Sequence, residues 1–274
     1  MSNKMQLVKD NTQNKNKKDK LPDPDEIKFY PVLEQSRELQ LYELIMTKHP
    51  PSWSEFFMSV EKEVKHACTM IERSSNLTGK ALFPFTYLTL SAFWLTPLFM
   101  LKSVIIGQDP YPGLTKEGMP KAQGLCFSSK QNYEMPASLK YIYKELERTV
   151  EGWEDPGHPD LSKWGKQGVL LINSALTVEA GNAGSHVGFW KPFTNKLMEY
   201  INEKCKNVVF LLWGKKAQSV ASGIYTSKHL KLEVYYFSLM SLNSGYSFGG
   251  CDHFNKANIY LVENGIEPID WRLK

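Results

Sequence analysis

The sequence predicts a three-layer α/β/α sandwich around a central, mainly parallel four-stranded sheet. Three observations predict it. Four short apolar runs, Ser103–Ile106, Val169–Ile172, Val208–Leu212 and Val234–Phe237, mostly lack polar alternation, as strands covered on both faces do. Helical patterns such as Ser138–Thr149, with Ser138 read as its N-cap, and Phe193–Glu203 lie between them, which is the order of a parallel sheet with right-handed crossovers. Pro/Gly-rich or polar motifs follow the runs, and in such sheets the ligand crevice lies at the carboxyl ends of the strands.

The chain begins with a segment that cannot fold. Residues 1–24 are rich in Asn, Lys and Asp and poor in apolar side chains, so they bury too little surface to offset chain entropy. Their first twenty residues hold six lysines and two aspartates, which accounts for the whole formal charge of +4. The other 254 residues carry 27 basic and 27 acidic side chains. The global charge therefore describes a basic tail and says nothing for a basic domain. The run KNKKDK at 15–20 reads as solvated tail before it reads as a nuclear address or a DNA tether. Residues 25–274 are expected to form one domain.

Amphipathic helices are expected within 27–75, around Leu39–Thr47 and Trp53–Ile71. Phe83–Leu101 then runs for 19 residues without a charge, nominally the length of a membrane span. Pro84 and Pro97 interrupt it, so a buried helix with an apolar outer face is the better expectation, and that face, if exposed, would be a partner site. The four cysteines, at 68, 126, 205 and 251, are too dispersed for a zinc pattern and read as free thiols. No metal or other cofactor is implied. The expected setting is the nucleus, the cytoplasm or a viral replication site, without secretion.

The first run leads into Gly107-Gln108-Asp109-Pro110-Tyr111-Pro112-Gly113. Two prolines fix φ and restrict the residues before them, so Asp109 is held in place or is part of an ordinary turn. Asn173 ends the second run; it either caps a following helix or presents one donor and one acceptor to a ligand. Gly214, Lys215 and Lys216 follow the third, where glycine admits close backbone approach and lysines meet phosphate.

GQDPYPG at 107–113, GLCFSS at 124–129, LLINSALTV at 170–178 and FLLWGKKAQ at 210–218 resemble the signature blocks of family 1 uracil-DNA glycosylases, in order and at similar spacing. PASLKYIYKEL at 136–146, LSKWGKQGVLL at 161–171, Ser185-His186, GGCDHF at 249–254 and PIDW at 268–271 extend the likeness from about residue 50 to the C-terminus. The resemblance implies an enzyme that hydrolyses the N-glycosidic bond of uracil flipped out of single- or double-stranded DNA, acting as a monomer and without a cofactor. It assigns Asp109 to orienting or activating water and supporting the charged sugar, Gln108 to a backbone contact with uracil, and Tyr111 to excluding the methyl of thymine. It assigns Phe127 to stacking on the base and Asn173 to its pairing edge. Pro136, Ser138, Gly214 and Lys215 match DNA-clamping loops, and Leu242 the wedge that fills the emptied stack.

The likeness breaks at one place. The family's His-Pro-Ser-Pro-Leu block corresponds to Ser238-Leu239-Met240-Ser241-Leu242, so Ser238 takes the slot of a histidine that donates to uracil; a one-residue gap would put Leu239 there instead. His229 lies nine residues upstream, before the fourth strand, and is not expected to replace it; the resemblance places His253 in the downstream helix, where a structural role is expected. Losing one such donor costs about 10²–10³ in rate. Pro112 also replaces a frequent histidine, and LTKEGMPKAQ at 114–123 lengthens the rim as an expected mobile loop. Two further readings stay open: a catalytically impaired DNA-binding or replication-accessory subunit with a protein partner on the Phe83–Leu101 face, and an enzyme of free nucleotides, which lacks a phosphate-cradling glycine motif.

Overall fold

A computed structural model describes residues 39–234 and 248–274. The basic tail, the Ser238 and Leu242 assignments and both registers of the 238–242 block lie outside the described residues.

Four strands, β2 (Ser103–Gly107), β3 (Val169–Asn173), β5 (Val209–Trp213) and β6 (Leu230–Val234), form one sheet in the order β3-β2-β5-β6, and every pair is parallel. All residues of β2, β3 and β5 are buried, which requires helices over both faces. The predicted sandwich is correct. The described part of its fourth strand starts four residues before the predicted run, and residues 235–237 of that run lie outside the described residues. The strand is Leu-Lys-Leu-Glu-Val at 230–234, an edge strand that alternates and leaves part of one face to water, so its polar residues hid it. Of Val234–Phe237 only Val234 belongs to the described strand.

The helices form where apolar spacing asks for them, with shifted ends. Residues 39–71 resolve into α1 (Leu41–Thr47), α2 (Ser54–Ser59) and α3 (Glu61–Thr78). The helix expected at 138–149 is α5 (Ala137–Thr149), and Pro136, not Ser138, is its N-cap. Ser162–Gly165 forms the short α6 and Val187–Lys204 forms α7, six residues earlier than the sequence pattern indicates. Helices α8 (Lys215–Val220) and α9 (His253–Glu263) follow β5 and the described part of the last loop.

Phe83–Leu101 is not a long helix. Phe83 ends the short β1 (Leu82–Phe83), which pairs antiparallel with β4 (Val178–Glu179); only Ser91–Leu95, α4, is α-helical. Some of the segment's apolar side chains enter the core, and the others stay partly exposed. Phe83, Leu90, Phe93 and Leu95 are buried, and Phe93 stands edge-on to Trp53 at 5.2 Å and to Phe57 at 5.1 Å. Trp53 Nε1 donates to the carbonyl of Thr96, and Thr96 Oγ1 donates toward those of Gly165 and Val169. Phe99 is the strongly exposed aromatic, at 84%. Among the described residues no helix is long and apolar enough to cross a membrane.

The C-terminal PIDW closes the same core. Trp164 Nε1 donates to the Trp271 carbonyl at 3.0 Å, Trp271 Nε1 donates to that of Phe254 at 3.1 Å, and the Trp164 and Trp271 rings meet edge-on. All four cysteines are free thiols.

Candidate active site

Strands β2 and β3 end side by side, with Gly107 opposite Asn173 in the ladder. The loops leaving both strands therefore start from one point of the sheet edge. A Cβ on residue 107 would lie 2.2 Å from Asn173 Oδ1 and 2.7 Å from Cys126 Cβ. Glycine there is what allows the Asn173 side chain to lie across the strand end. No helix begins at Asn173, so the capping alternative fails. Its amide makes no hydrogen bond among the described residues, and it lines a cavity of about 170 Å³.

Gln108, Asp109, Tyr111, Phe127 and Ser138 line the same cavity. The structure thus brings together six of the residues singled out in the sequence, from three separate blocks and a helix start. The space suits one small planar ring with several fixed polar groups around it.

Asp109 is half-buried, and its Oδ2 accepts a hydrogen bond from the backbone N–H of Gly184. Burial pushes its carboxyl above the usual carboxylate range; the Gly184 amide and the Lys216 ammonium oppose that. The Gln108 carbonyl is engaged by Ser174 Oγ at 2.6 Å and Ala175 N at 3.0 Å, which ties this loop to the exit of β3.

Tyr111 is fixed at its hydroxyl, which donates to the Phe127 carbonyl at 2.9 Å and shares a 2.9 Å hydrogen bond with Ser138 Oγ. Burial holds this phenol protonated. Ser138 is consequently a wall of the cavity, while Pro136, at the head of α5, is outside it. Phe127 has φ +60, a left-handed conformation that costs an aromatic residue about 1–3 kcal/mol. Strain of this kind is kept where the surroundings over-determine it. Here Ser128 Oγ accepts from Leu161 N and Gln123 Nε2, and Cys126 N donates to Leu171 on β3.

Gly214 leaves β5 at φ +95 and ψ 158, a region reserved for glycine. Among the described residues nothing lies within 4 Å of the place of its Cβ, and its backbone geometry by itself demands glycine. Lys215 and Lys216 follow on the exposed start of α8. The lengthened rim at 114–123 closes on itself: Leu114 bridges Pro120, Thr115 N donates to Met119 O, and Lys116 pairs with Glu134 at 2.9 Å.

His229 is buried edge-on to Phe210, with its Nδ1 accepting from Val208 N. His253 accepts from Trp213 Nε1 at 3.2 Å, and burial lowers its pKa to about 4. Both are structural, as expected from the sequence.

A model of the uracil DNA glycosylase superfamily matches residues 93–262. A uracil-DNA glycosylase of Francisella philomiragia is 43% identical over 225 residues, covering 81% of this chain and all of that protein. The chain belongs to the uracil DNA glycosylase superfamily. A uracil-DNA glycosylase of Pseudomonas aeruginosa is 45% identical over 202 residues, 73% of this chain and 84% of that one. The crystal structure of mimivirus uracil-DNA glycosylase superimposes with a TM-score of 0.79 at 29% identity, covering 90% of this chain and 93% of that one.

Within this glycosylase frame, the sequence missed two contributors, Gly184 and Glu179. Gly184 acts through its backbone, which no side-chain motif reveals. Glu179 accepts from Ser74 Oγ, Thr78 Oγ1 and Asn182 Nδ2 and so anchors the turn that carries Gly184. Ser185 Oγ accepts from Glu179 N, and His186 Nδ1 meets Thr177 Oγ1 at 3.0 Å, so the Ser185-His186 pair belongs to the same anchor. Lys216 was read from the sequence as a phosphate contact; what the sequence did not show is that its Nζ donates to Gln108 Oε1 at 2.6 Å.

Proposed function

We propose that this protein is a uracil-DNA glycosylase, hydrolysing the N-glycosidic bond of uracil in DNA during base excision repair, with residues 25–274 as its catalytic unit. The observation that carries the reading is the cavity in which a fixed carboxylate, an unengaged amide and a strained aromatic converge.

A flipped base enters edge-first. Phe127 stacks on it, and Asn173 offers a donor and an acceptor that match uracil and oppose cytosine. Tyr111, held by two hydrogen bonds, occupies the room a 5-methyl group would need. Asp109 orients a water at the anomeric carbon. As the bond from sugar to base breaks, its electron pair leaves with uracil, water adds to the sugar, and Asp109 takes the proton the water loses. The carboxylate also stabilises the cationic sugar in between. By sequence likeness Gly214, Lys215 and Pro136 serve as contacts to the DNA backbone, and Lys215 supplies charge to phosphate. Ser238 at the uracil edge and Leu242 as the wedge rest on sequence likeness alone. The enzyme acts as a monomer in the nucleus, the cytoplasm or a viral replication site.

The test is alkali cleavage of a uracil-containing single-stranded oligonucleotide after single-turnover incubation. Wild type should generate abasic sites, and Asp109→Asn should lose at least about a hundredfold in rate while still binding the DNA. Equal rates would remove Asp109 from its role. Binding by the wild type without any release would leave an accessory subunit.

A further inference from the structure

Lys216 has a placement that helix stability does not explain. It is the second residue of α8, and a cation in the first turn of a helix opposes the macrodipole. Lys215 beside it is exposed. Lys216 instead reaches back across the sheet edge to Gln108 Oε1 at 2.6 Å. The other end of that amide lies toward Gly184, where a Cβ would stand 3.4 Å from Gln108 Nε2. Gln108 thus spans between Lys216 and the turn whose N–H holds Asp109.

We propose that Lys216 is a positioning residue of base excision: held beside the catalytic loop by its hydrogen bond to Gln108, its ammonium favours the carboxylate form of Asp109, the next residue of that loop, as the acceptor of the proton of water. The inference rests on the role given to Asp109 above. Half-burial works against the ionised form, and a nearby cation works for it. Among the described residues, the titratable groups on the surrounding elements are few. The Tyr111 hydroxyl on Asp109's own loop is spent on Phe127 and Ser138. His186, on the turn carrying Gly184, is buried against Thr177, and burial favours its neutral ring. Among the described residues, Lys215 and Lys216 stand on α8, and the Lys216 ammonium lowers the Asp109 carboxyl against the larger, opposite effect of burial. Because Lys216 is exposed, it can be changed without touching the core.

The experiment measures single-turnover uracil release by the full chain from about pH 5 to about pH 9, for wild type, Lys216→Met, Lys216→Arg and Asp109→Asn, with DNA affinity measured alongside. Lys216→Met should move the acid limb of the profile toward neutral pH. Its rate deficit should grow from about twofold or less on the alkaline plateau to about three- to tenfold on the acid limb. DNA affinity should change little, and Lys216→Arg should restore the limb. A deficit independent of pH overturns the proposal. If it comes with weaker DNA binding and a salt slope reduced by about one, Lys216 is a phosphate contact only. If Asp109→Asn excises as fast as wild type, the assignment of Asp109 fails and this inference falls with it. Loss of activity in Asp109→Asn with an unmoved acid limb in Lys216→Met sinks the inference alone.

Discussion

The backbone N–H of Gly184 donates to Oδ2 of Asp109, across 75 positions of sequence. A carboxylate on a Pro-rich loop still has a free χ1 and χ2. This hydrogen bond selects one orientation, so the turn at 179–186 takes part in the chemistry without contributing a reacting group. Glu179 fixes that turn to α3 through Ser74 and Thr78 and to itself through Asn182.

Glu179→Ala should therefore slow catalysis without weakening substrate binding. Three side-chain donors lose their acceptor, and the expected loss of stability is about 1–3 kcal/mol. The single-turnover rate should fall about tenfold with KM nearly constant, read from uracil release and urea unfolding together. A change confined to KM would place the turn in binding instead.

Tyr111 offers a separation of shape from hydrogen bonding. Tyr111→Phe keeps the ring and removes the hydroxyl bonded to Phe127 and Ser138. It should cost about 1–2 kcal/mol of stability and leave thymine rejected. Tyr111→Ala should admit thymine. Assays on matched uracil and thymine oligonucleotides decide; thymine release by the Phe variant would show that orientation, not bulk, excludes the methyl.

Gly107→Ala puts a methyl 2.2 Å from Asn173 Oδ1. Asn173 must move, because the other near neighbour, Cys126 Cβ, is fixed in the core. Overpacking of this sort costs about 1–3 kcal/mol. Uracil affinity should fall more than stability predicts, as measured by titration with free uracil against thermal unfolding. Unchanged affinity would mean that Asn173 does not read the base.

Glu145 on α5 is buried, yet its carboxyl sits below the usual range. Burial alone would raise it, but Arg148 and the N–H groups of Gly250 and Asp252 outweigh burial. A depressed folded pKa gives stability that is present above the unfolded value, about 4.3, and is lost as pH falls through the folded value. The stability advantage of wild type over Glu145→Gln should be constant near neutral pH and shrink below about pH 4.5. Denaturant titrations of both proteins at several pH values test this; a constant difference down to pH 3 would exclude a depressed carboxyl.

The sequence by itself determined the sheet, because β2, β3 and β5 are apolar on both faces and such runs have few alternatives in water. It also determined the residues that meet in the cavity, because parallel strands release their loops at one edge, so Asp109, Tyr111, Phe127 and Asn173 were legible from strand ends and motif blocks together. The edge strand β6 was not, since a half-exposed strand alternates with lysine and glutamate. Nor was the fate of Phe83–Leu101, where hydrophobicity does not specify conformation, and short turns pack Phe93 against Trp53 and Phe57 while Phe99 stays exposed. Only the tertiary structure decided what holds Asp109. The backbone N–H of Gly184 and the ammonium of Lys216 act through distance and direction, and these exist only once distant segments of the chain have been packed together.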